Sequence, residues 1–299
     1  MKSSTKKVLA LAAVVCVAVL MSGCSVPMET DAAGNKVVKQ IYMETTFTET
    51  MNSENWFSAI FVWPMAQMIN RMAPAIGVAG AIAVLTILVN AILLVFTLKS
   101  QVSMQQMQLM QPEMEKIQRK YEGKDDDASK MRMAQEMQTL YGKYNVNPMT
   151  AMLIQFIQFP IIIAMYQAVQ RASAVHTGTF MGLSLETTIW TGIKAGQWLY
   201  ILIFAIMGVL QYLSMMIPQK LSKKKAEEEA AKHHKRVEKS ANDTQQKFMQ
   251  YYMLIMILVF GLMWPAAMSV YWSIYSLVNI VKTLLVQKII DKQNAKGAK

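Results

Sequence analysis

The apolar positions of this chain gather into long runs without charge, and lysine-rich segments separate the runs. A helix needs about 20 apolar residues to cross the hydrocarbon of a bilayer. Runs at 77–98, 148–170, 195–217, 248–263 and 266–290 therefore predict five membrane spans. The fourth would rise only about 24 Å at 1.5 Å per residue. It must sit against other helices or in a locally thinned bilayer. Pro265 separates the fourth run from the fifth, which Lys282 interrupts. The predicted fold class is an all-α membrane protein with five transmembrane helices.

The segments between the runs differ in kind. Residues 99–147 read as a helical hairpin, with arms at Ser100–Tyr121 and Asp126–Tyr144 and a turn at Gly123-Lys124-Asp125-Asp126. Asp126 or Asp127 is placed to cap the second arm. Met104, Met107, Met110 and Met114 recur at steps of three and four, which puts them on one stripe; Met131, Met133 and Met137 follow on the other arm. Two readings stay open: the stripes pack on each other, or they offer an adaptable apolar surface to varied client segments. Residues 56–76 mix Trp56, Phe57, Ile60 and Trp63 with Gln67, Asn70 and Arg71. They read as an amphipathic helix in the outer interface or as an extension of the first span, and Pro74 and Gly77 favour a break. Residues 24–55 read as an external tether and 171–194 as an outer loop. Residues 218–247 read as a basic cytoplasmic helix or loop, and 291–299 as a basic tail.

Charge placement orients the spans. The segments 99–147, 218–247 and the tail carry twenty-one basic residues, against five (Lys36, Lys39, Arg71, Arg171 and Lys194) on the opposite side. The positive-inside rule then puts the N-terminus outside and the C-terminus in the cytoplasm. The net charge of +11 is thereby explained by topology, and no nucleic-acid partner is needed. At 54% hydrophobic and 16% charged residues, with a mean hydropathy of +0.25, the composition excludes a disordered protein.

The N-terminus reads as an address. Lys2, Lys6 and Lys7 precede a short apolar stretch from Val8 to Leu20, and Ser22-Gly23 leads into Cys24. Residues 1–23 are thus expected to be a signal peptide of the lipoprotein kind, with Cys24 lipidated. The alternative is an ordinary signal or an uncleaved anchor. The only other cysteine is Cys16, so a disulfide framework or a cysteine zinc site is excluded downstream. The adjacent His233-His234 pair is not spaced for a metal.

Polar side chains within the spans carry the functional signal, because they are costly in hydrocarbon unless they face one another or water. Thr86 and Asn90 lie in the first span, Gln155 and Gln158 in the second, and Gln197 and Gln211 in the third. In the fifth, Trp272, Ser276, Asn279 and Thr283 follow at steps of four, three and four, on one face beside Lys282. They either hydrogen-bond across an ordinary bundle or line a hydrated cavity. No acidic residue lies in the spans, and no nucleophile–base set, phosphate loop or HExxH motif is present. An enzyme is not expected, and no cofactor or metal is called for.

At this point the chain resembles the YidC/Oxa1/Alb3 family of membrane protein insertases, in its short bacterial lipoprotein form. The resemblance rests on Thr97-Leu98-Lys99, Met107-Gln108, Gln111-Pro112-Glu113, Lys120-Tyr121, Leu140-Tyr141, Val146-Asn147-Pro148, Ile157-Gln158-Phe159-Pro160, Tyr166, Phe260, and Pro265-Ala266-Ala267-Met268-Ser269-Val270-Tyr271-Trp272, all in order over about residues 55–290. It implies five helices around a hydrophilic groove, open to the cytoplasm and to lipid, with the cytoplasmic hairpin receiving clients. Gln158, Gln211 and Trp272 match polar or aromatic groove positions of the family. The implied partners are nascent membrane protein clients, the ribosome, the Sec translocon and the lipid bilayer. No sequence-specific nucleic acid is implied, and a monomer suffices. Two departures stand out. Asn90 occupies the place where relatives usually carry a groove arginine, and Ala151-Met152-Leu153-Ile154 replaces a Gly-Cys-x-Pro run. Lys282 is either a partial substitute for the missing charge or a lysine snorkelling to the cytoplasmic surface. The competing functional class is a polar-lined channel, transporter or membrane scaffold, although the sequence has no internal repeat of the kind transporters show.

Overall fold

Helices carry most of the chain in the computed structural model, which describes residues 26–144, 146–232 and 242–297. Cys24 and the signal segment lie outside the described residues, as does the His233-His234 pair. The elements are β1 (Met28–Thr30), β2 (Lys36–Val38), α1 (Phe47–Ser53), a π-helical turn at Ser58–Val62 leading into α2 (Trp63–Lys120), α3 (Asp127–Lys143), α4 (Pro148–Arg171), α5 (Ser173–Thr177), β3 (Thr179–Phe180), β4 (Leu183–Ser184), α6 (Ile189–Lys194), α7 (Leu199–Lys232), α8 (Asn242–Met263) and α9 (Ala266–Gly297). The strands form two antiparallel hairpins, β1-β2 and β3-β4.

Three helical stretches are long and apolar enough to cross a membrane: Ser58–Met107, Leu199–Leu221 and Ala266–Lys292. Gln250–Met263 is a shorter apolar helix. Large apolar side chains stand exposed along them, Val95 and Phe96 at 76% and 81% among them. A soluble helix would turn such groups inward; in lipid they cost nothing. The protein is an all-α membrane protein.

The predicted break before the first span is at Gly77, whose φ of +72° interrupts α2. That backbone conformation suits glycine because no Cβ opposes it. Beyond Gly77 the helical backbone continues through the residues of the predicted first arm of the hairpin. The third span behaves alike: α7 continues from the apolar stretch into the Lys/Glu/Ala-rich segment as far as Lys232. These polar extensions are mostly good helix formers, and the helices run on through Pro112 and Pro218.

By contact density the chain divides into two units. The first comprises the described residues up to Val89, Gln155–Met207 and Phe260–Tyr275. Its core joins Phe57, Ile69, Ile82, Leu85, Met165, Leu185, Tyr200 and Tyr271, all at 2% exposure or less. Within the segment expected to be a tether, residues 39–55 are instead packed in this unit. Ile41 is buried in its core and pairs with Ala172 in a parallel bridge, through Ile41 N–H to the Arg171 carbonyl (2.6 Å) and Ser173 N–H to the Ile41 carbonyl (3.1 Å). A count of apolar residues along 26–55 misses this, because Ile41 is the buried apolar side chain there and polar and backbone groups make the other attachments.

The second unit comprises the described residues within Asn90–Ile154, Gly208–Val259 and Ser276–Lys299. Here the end of α2 and α3 form the hairpin around Met110, Leu140 and Val146, with Met107, Met114 and Ile117 packed against them. Asp126 caps α3 through Ser129 N–H at 2.8 Å. Two matching clamps hold the arms. Lys120 Nζ and Tyr121 Oη donate to Glu136 Oε1 at 2.5 and 2.9 Å. Lys143 Nζ and Tyr144 Oη donate to Glu113 Oε2 and Oε1 at 3.3 and 2.5 Å. Each arm thus ends in a Lys-Tyr pair that grips a glutamate of the other arm. The lysine contacts hold the Glu136 carboxyl below its ordinary range and lift the Lys120 amine above its own.

Candidate functional site

The polar side chains of the spans meet within each unit in a regular way. In the second unit, Gln211 and Ser214 lie one turn apart on α7, and Ser276 and Asn279 one turn apart on α9. Ser276 Oγ donates to Gln211 Oε1 at 2.7 Å, and Asn279 Nδ2 donates to Ser214 Oγ at 3.0 Å. The two bonds form successive rungs, and their order makes α7 and α9 parallel. Farther along α7, Gln219 Nε2 donates to Gln250 Oε1 of α8 at 2.5 Å. Gly208 faces Leu258, so α8 runs back against α7. A cavity of about 90 Å3 lies beside the glutamine pair, lined also by Tyr212, Met215, Met216 and Tyr251. Toward the far end of α9, Gln105 Nε2 donates to Gln287 Oε1 at 2.6 Å, and Gln287 Nε2 donates to Asp291 at 3.0 Å.

Ser276 is fully buried, and Gln211 and Ser214 are nearly so. In this state the rungs are side chains that satisfy one another. An interhelical bond of this kind is worth about 0.6 kcal/mol on average in a membrane bundle, so opening one is cheap. Asn90 is buried in α2, and Lys282, one turn beyond Asn279, is half-buried. The side chain of Gln155 is not among those described.

In the first unit, Gln158 Nε2 donates to Tyr275 Oη at 3.3 Å. Trp272 is half-buried, between the rings of Tyr271 (5.6 Å) and Tyr275 (5.9 Å). Of the hairpin methionines, Met110 is buried at 1% and Met107 and Met114 pack against it, while Met131 on α3 is 65% exposed. Met104 is half-buried. Among the described residues no group of three or more His, Cys, Asp or Glu side chains stands together as a metal site requires.

Sequence reasoning missed the most heavily bonded charge of the first unit. Its position in the sequence makes Arg171 an outer-loop charge, yet its side chain is completely buried. It donates through Nη1 and Nη2 to both oxygens of Glu54 at 2.9 and 2.5 Å, and through Nε to the Lys39 carbonyl at 2.8 Å. Burial works to raise the Glu54 carboxyl, but the hydrogen bonds and charge of Arg171 outweigh it and hold Glu54 below the ordinary range. Asn70 Nδ2 donates to the Ile41 carbonyl at 2.7 Å and Gln67 Nε2 to the Tyr42 carbonyl at 2.8 Å. Residues 39–57 are therefore strapped across the starts of α2 and α5. The one available signal was the pair Gln67 and Asn70, a turn apart inside an apolar stretch. Glu54 and Arg171 are 117 positions apart, and nothing local links them.

Comparison with known proteins agrees with this architecture. The profile of the 60Kd inner membrane protein family matches residues 42–294. The chain is 31% identical over 240 residues to membrane protein insertase YidC 2 of Bacillus anthracis, covering 80% of this chain and 84% of that protein. It is 29% identical over 252 residues to membrane protein insertase MisCA of Bacillus subtilis, covering 84% and 86%. Membrane protein insertase YidC of Oceanobacillus iheyensis matches at 29% identity over 80% of this chain and 86% of its own. With a family profile spanning most of the strap, all the apolar helices and the hairpin, the chain belongs to the 60Kd inner membrane protein family, the YidC group of membrane proteins that its sequence resembles.

Proposed function

We propose that this protein is a bacterial membrane protein insertase and chaperone, which inserts integral membrane proteins without nucleotide and helps them fold. The observation that carries the reading is the pair of rungs Gln211–Ser276 and Ser214–Asn279, set in helices apolar enough to cross a membrane. A client's polar flank can exchange hydrogen bonds with such amides and hydroxyls at small cost, which shortens its path through hydrocarbon. Burial of the client's apolar helix then drives the step, at about 25 cal/mol per Å2.

In this reading five spans cross the membrane, the N-terminus is outside and lipidated at Cys24, and the C-terminus is cytoplasmic. The polar positions Asn90, Gln155, Gln158, Gln211, Trp272, Ser276, Asn279 and Lys282 face the client during passage. The clamped hairpin receives it. Since Met110 is buried, contact on the methionine face needs the arms to part, and Met131 offers the accessible thioether. Nascent chains are the clients, the Sec translocon and the ribosome are working partners, and a monomer suffices. The role is one of binding and shielding, not of covalent chemistry.

The test is site-specific crosslinking of a nascent single-span client to positions 90, 158, 272 and 282, together with insertion of one small client into liposomes holding only this protein. Crosslinks at these positions and insertion are expected. A client that inserts without touching any of the four positions would sink the assignment of the site. A reconstituted protein that passes ions or solutes and inserts nothing would favour a channel or transporter.

A further inference from the structure

The segment 178–198 of the first unit combines backbone attachments to the rest of the unit with exposed apolar side chains. Its backbone is bonded to the turn between α8 and α9. Ala266 N–H donates to the Thr187 carbonyl at 2.9 Å and Ala267 N–H to the Leu185 carbonyl at 3.0 Å, and Thr188 and Pro265 form an antiparallel bridge. These carbonyls satisfy the first free N–H groups of α9, which would otherwise be orphaned at a helix start. Tyr200, in the first turn of α7, donates from Oη to the Ser184 carbonyl at 2.8 Å. Its ring lies so close to Gly192 that a Cβ there would stand 2.1 Å from Cδ2. Helix α6 is therefore fixed against the end of a membrane-crossing helix.

The segment also carries large apolar groups that stand more than half exposed. Trp190 is 52% exposed, Trp198 68% and Met181 60%. Lys194 Nζ lies over the Trp190 ring, 5.1 Å from its centre. The one acidic group between 178 and 198, Glu186, faces His176 at 2.9 Å. Trp198 immediately precedes Leu199, where the apolar stretch Leu199–Leu221 begins. A residue next to the first residue of a span lies at the depth of the lipid headgroups. Tryptophan is the side chain best suited to that depth, because its ring is apolar and its N–H needs a polar partner.

We infer that Trp190, Trp198, Met181 and Lys194 form a membrane-docking surface, on which segment 178–198 rests in the headgroup layer of the leaflet at this end of the spans. The rings lie among the glycerol and upper acyl groups, and Lys194 faces lipid phosphate. That leaflet is the outer one in the orientation proposed above; only the word outer rests on that proposal. The surface anchors the cap over the α8–α9 turn to the lipid as well as to the protein.

The experiment uses the full protein in vesicles of phosphatidylcholine and phosphatidylglycerol, with and without lipid brominated near the headgroup end of its chains. Trp190→Phe and Trp198→Phe are each compared with the unaltered protein, so that the difference emission belongs to one ring. Both rings are more than half exposed, so neither change disturbs the core. In the brominated vesicles the difference emission is expected to fall about two-fold, with little further loss to aqueous acrylamide. Difference emission quenched by acrylamide and untouched by bromine would put the rings in water and overturn the inference. Emission quenched by neither would mean a protein cover and overturn it equally. Because bromine quenching needs no client and no defined orientation, its outcome is separable from that of the insertion assay.

Discussion

Replacing Glu54 by alanine tests the strap most severely. Arg171 has no exposure to solvent, and the Glu54 side chain is only 5% exposed. Removing the carboxylate leaves a guanidinium buried with a backbone carbonyl and the Ser58 hydroxyl as its remaining partners. Breaking a buried ion pair from one side costs about 3–5 kcal/mol, because the remaining charge is stranded. Since 1.4 kcal/mol is tenfold, 3 kcal/mol is roughly 150-fold in the equilibrium between closed and open strap. The assay is protease sensitivity of residues 39–57 in nanodiscs, measured where cleavage is slow relative to reclosing. Glu54→Ala is expected to be cut at least about a hundredfold faster at limiting protease. Lys39→Ala, which removes only a partly exposed ammonium at 3.4 Å from Glu54, should change the rate a few-fold at most. The sign with pH follows from the depressed Glu54 carboxyl. Its contribution is complete above the ordinary glutamate value of about 4.3 and fades as pH falls below that, through the folded value. Equal cleavage rates for Glu54→Ala and the unaltered protein would refute the reasoning that this pair holds the strap.

Gly192→Ala should loosen the cap, because its Cβ would collide with the Tyr200 ring; overpacking of this sort costs about 1–3 kcal/mol, and a lower thermal midpoint in detergent checks it. The two hairpin clamps are exposed, so Glu136→Gln and Glu113→Gln should each cost under about 1 kcal/mol. Their losses should be similar and close to additive in a double variant, readable as hydrogen exchange along α3; one clamp dominating would show that the likeness is only geometric. Lys282→Gln should impair insertion of clients with acidic external tails, and a further Asn90→Arg should restore it. Unchanged insertion by Lys282→Gln would remove the idea that this lysine supplies the charge missing at Asn90.

Legibility in the sequence varied with the range of the interaction. Span existence needs only consecutive apolar residues, so the runs at 77–98, 195–217 and 266–290 were visible before any fold was known. The break at Gly77 was visible too, since glycine and a nearby proline mark a bend locally. The α3 cap was narrowed to Asp126 or Asp127 for the same reason. The stripe Ser276–Asn279 was legible as helical spacing, but not its partners: Gln211 was one candidate among several polar residues in the spans, and Ser214 was not singled out. The methionine stripe was legible as a stripe, while only packing could decide that Met110 faces Leu140 inside the hairpin.

The sequence by itself thus determined that this is a helical membrane protein, roughly where its helices run, and which family it resembles. These follow from local periodicity and from the price of polar groups in hydrocarbon, both of which act residue by residue. Tertiary structure decided which polar groups are paired and which surfaces stay open. It turned Arg171 from a surface charge into a buried anchor, and residues 39–55 from a tether into part of a packed unit. Each of these depends on groups brought together from distant parts of the chain, and the free energy of such a meeting is written in neither segment alone.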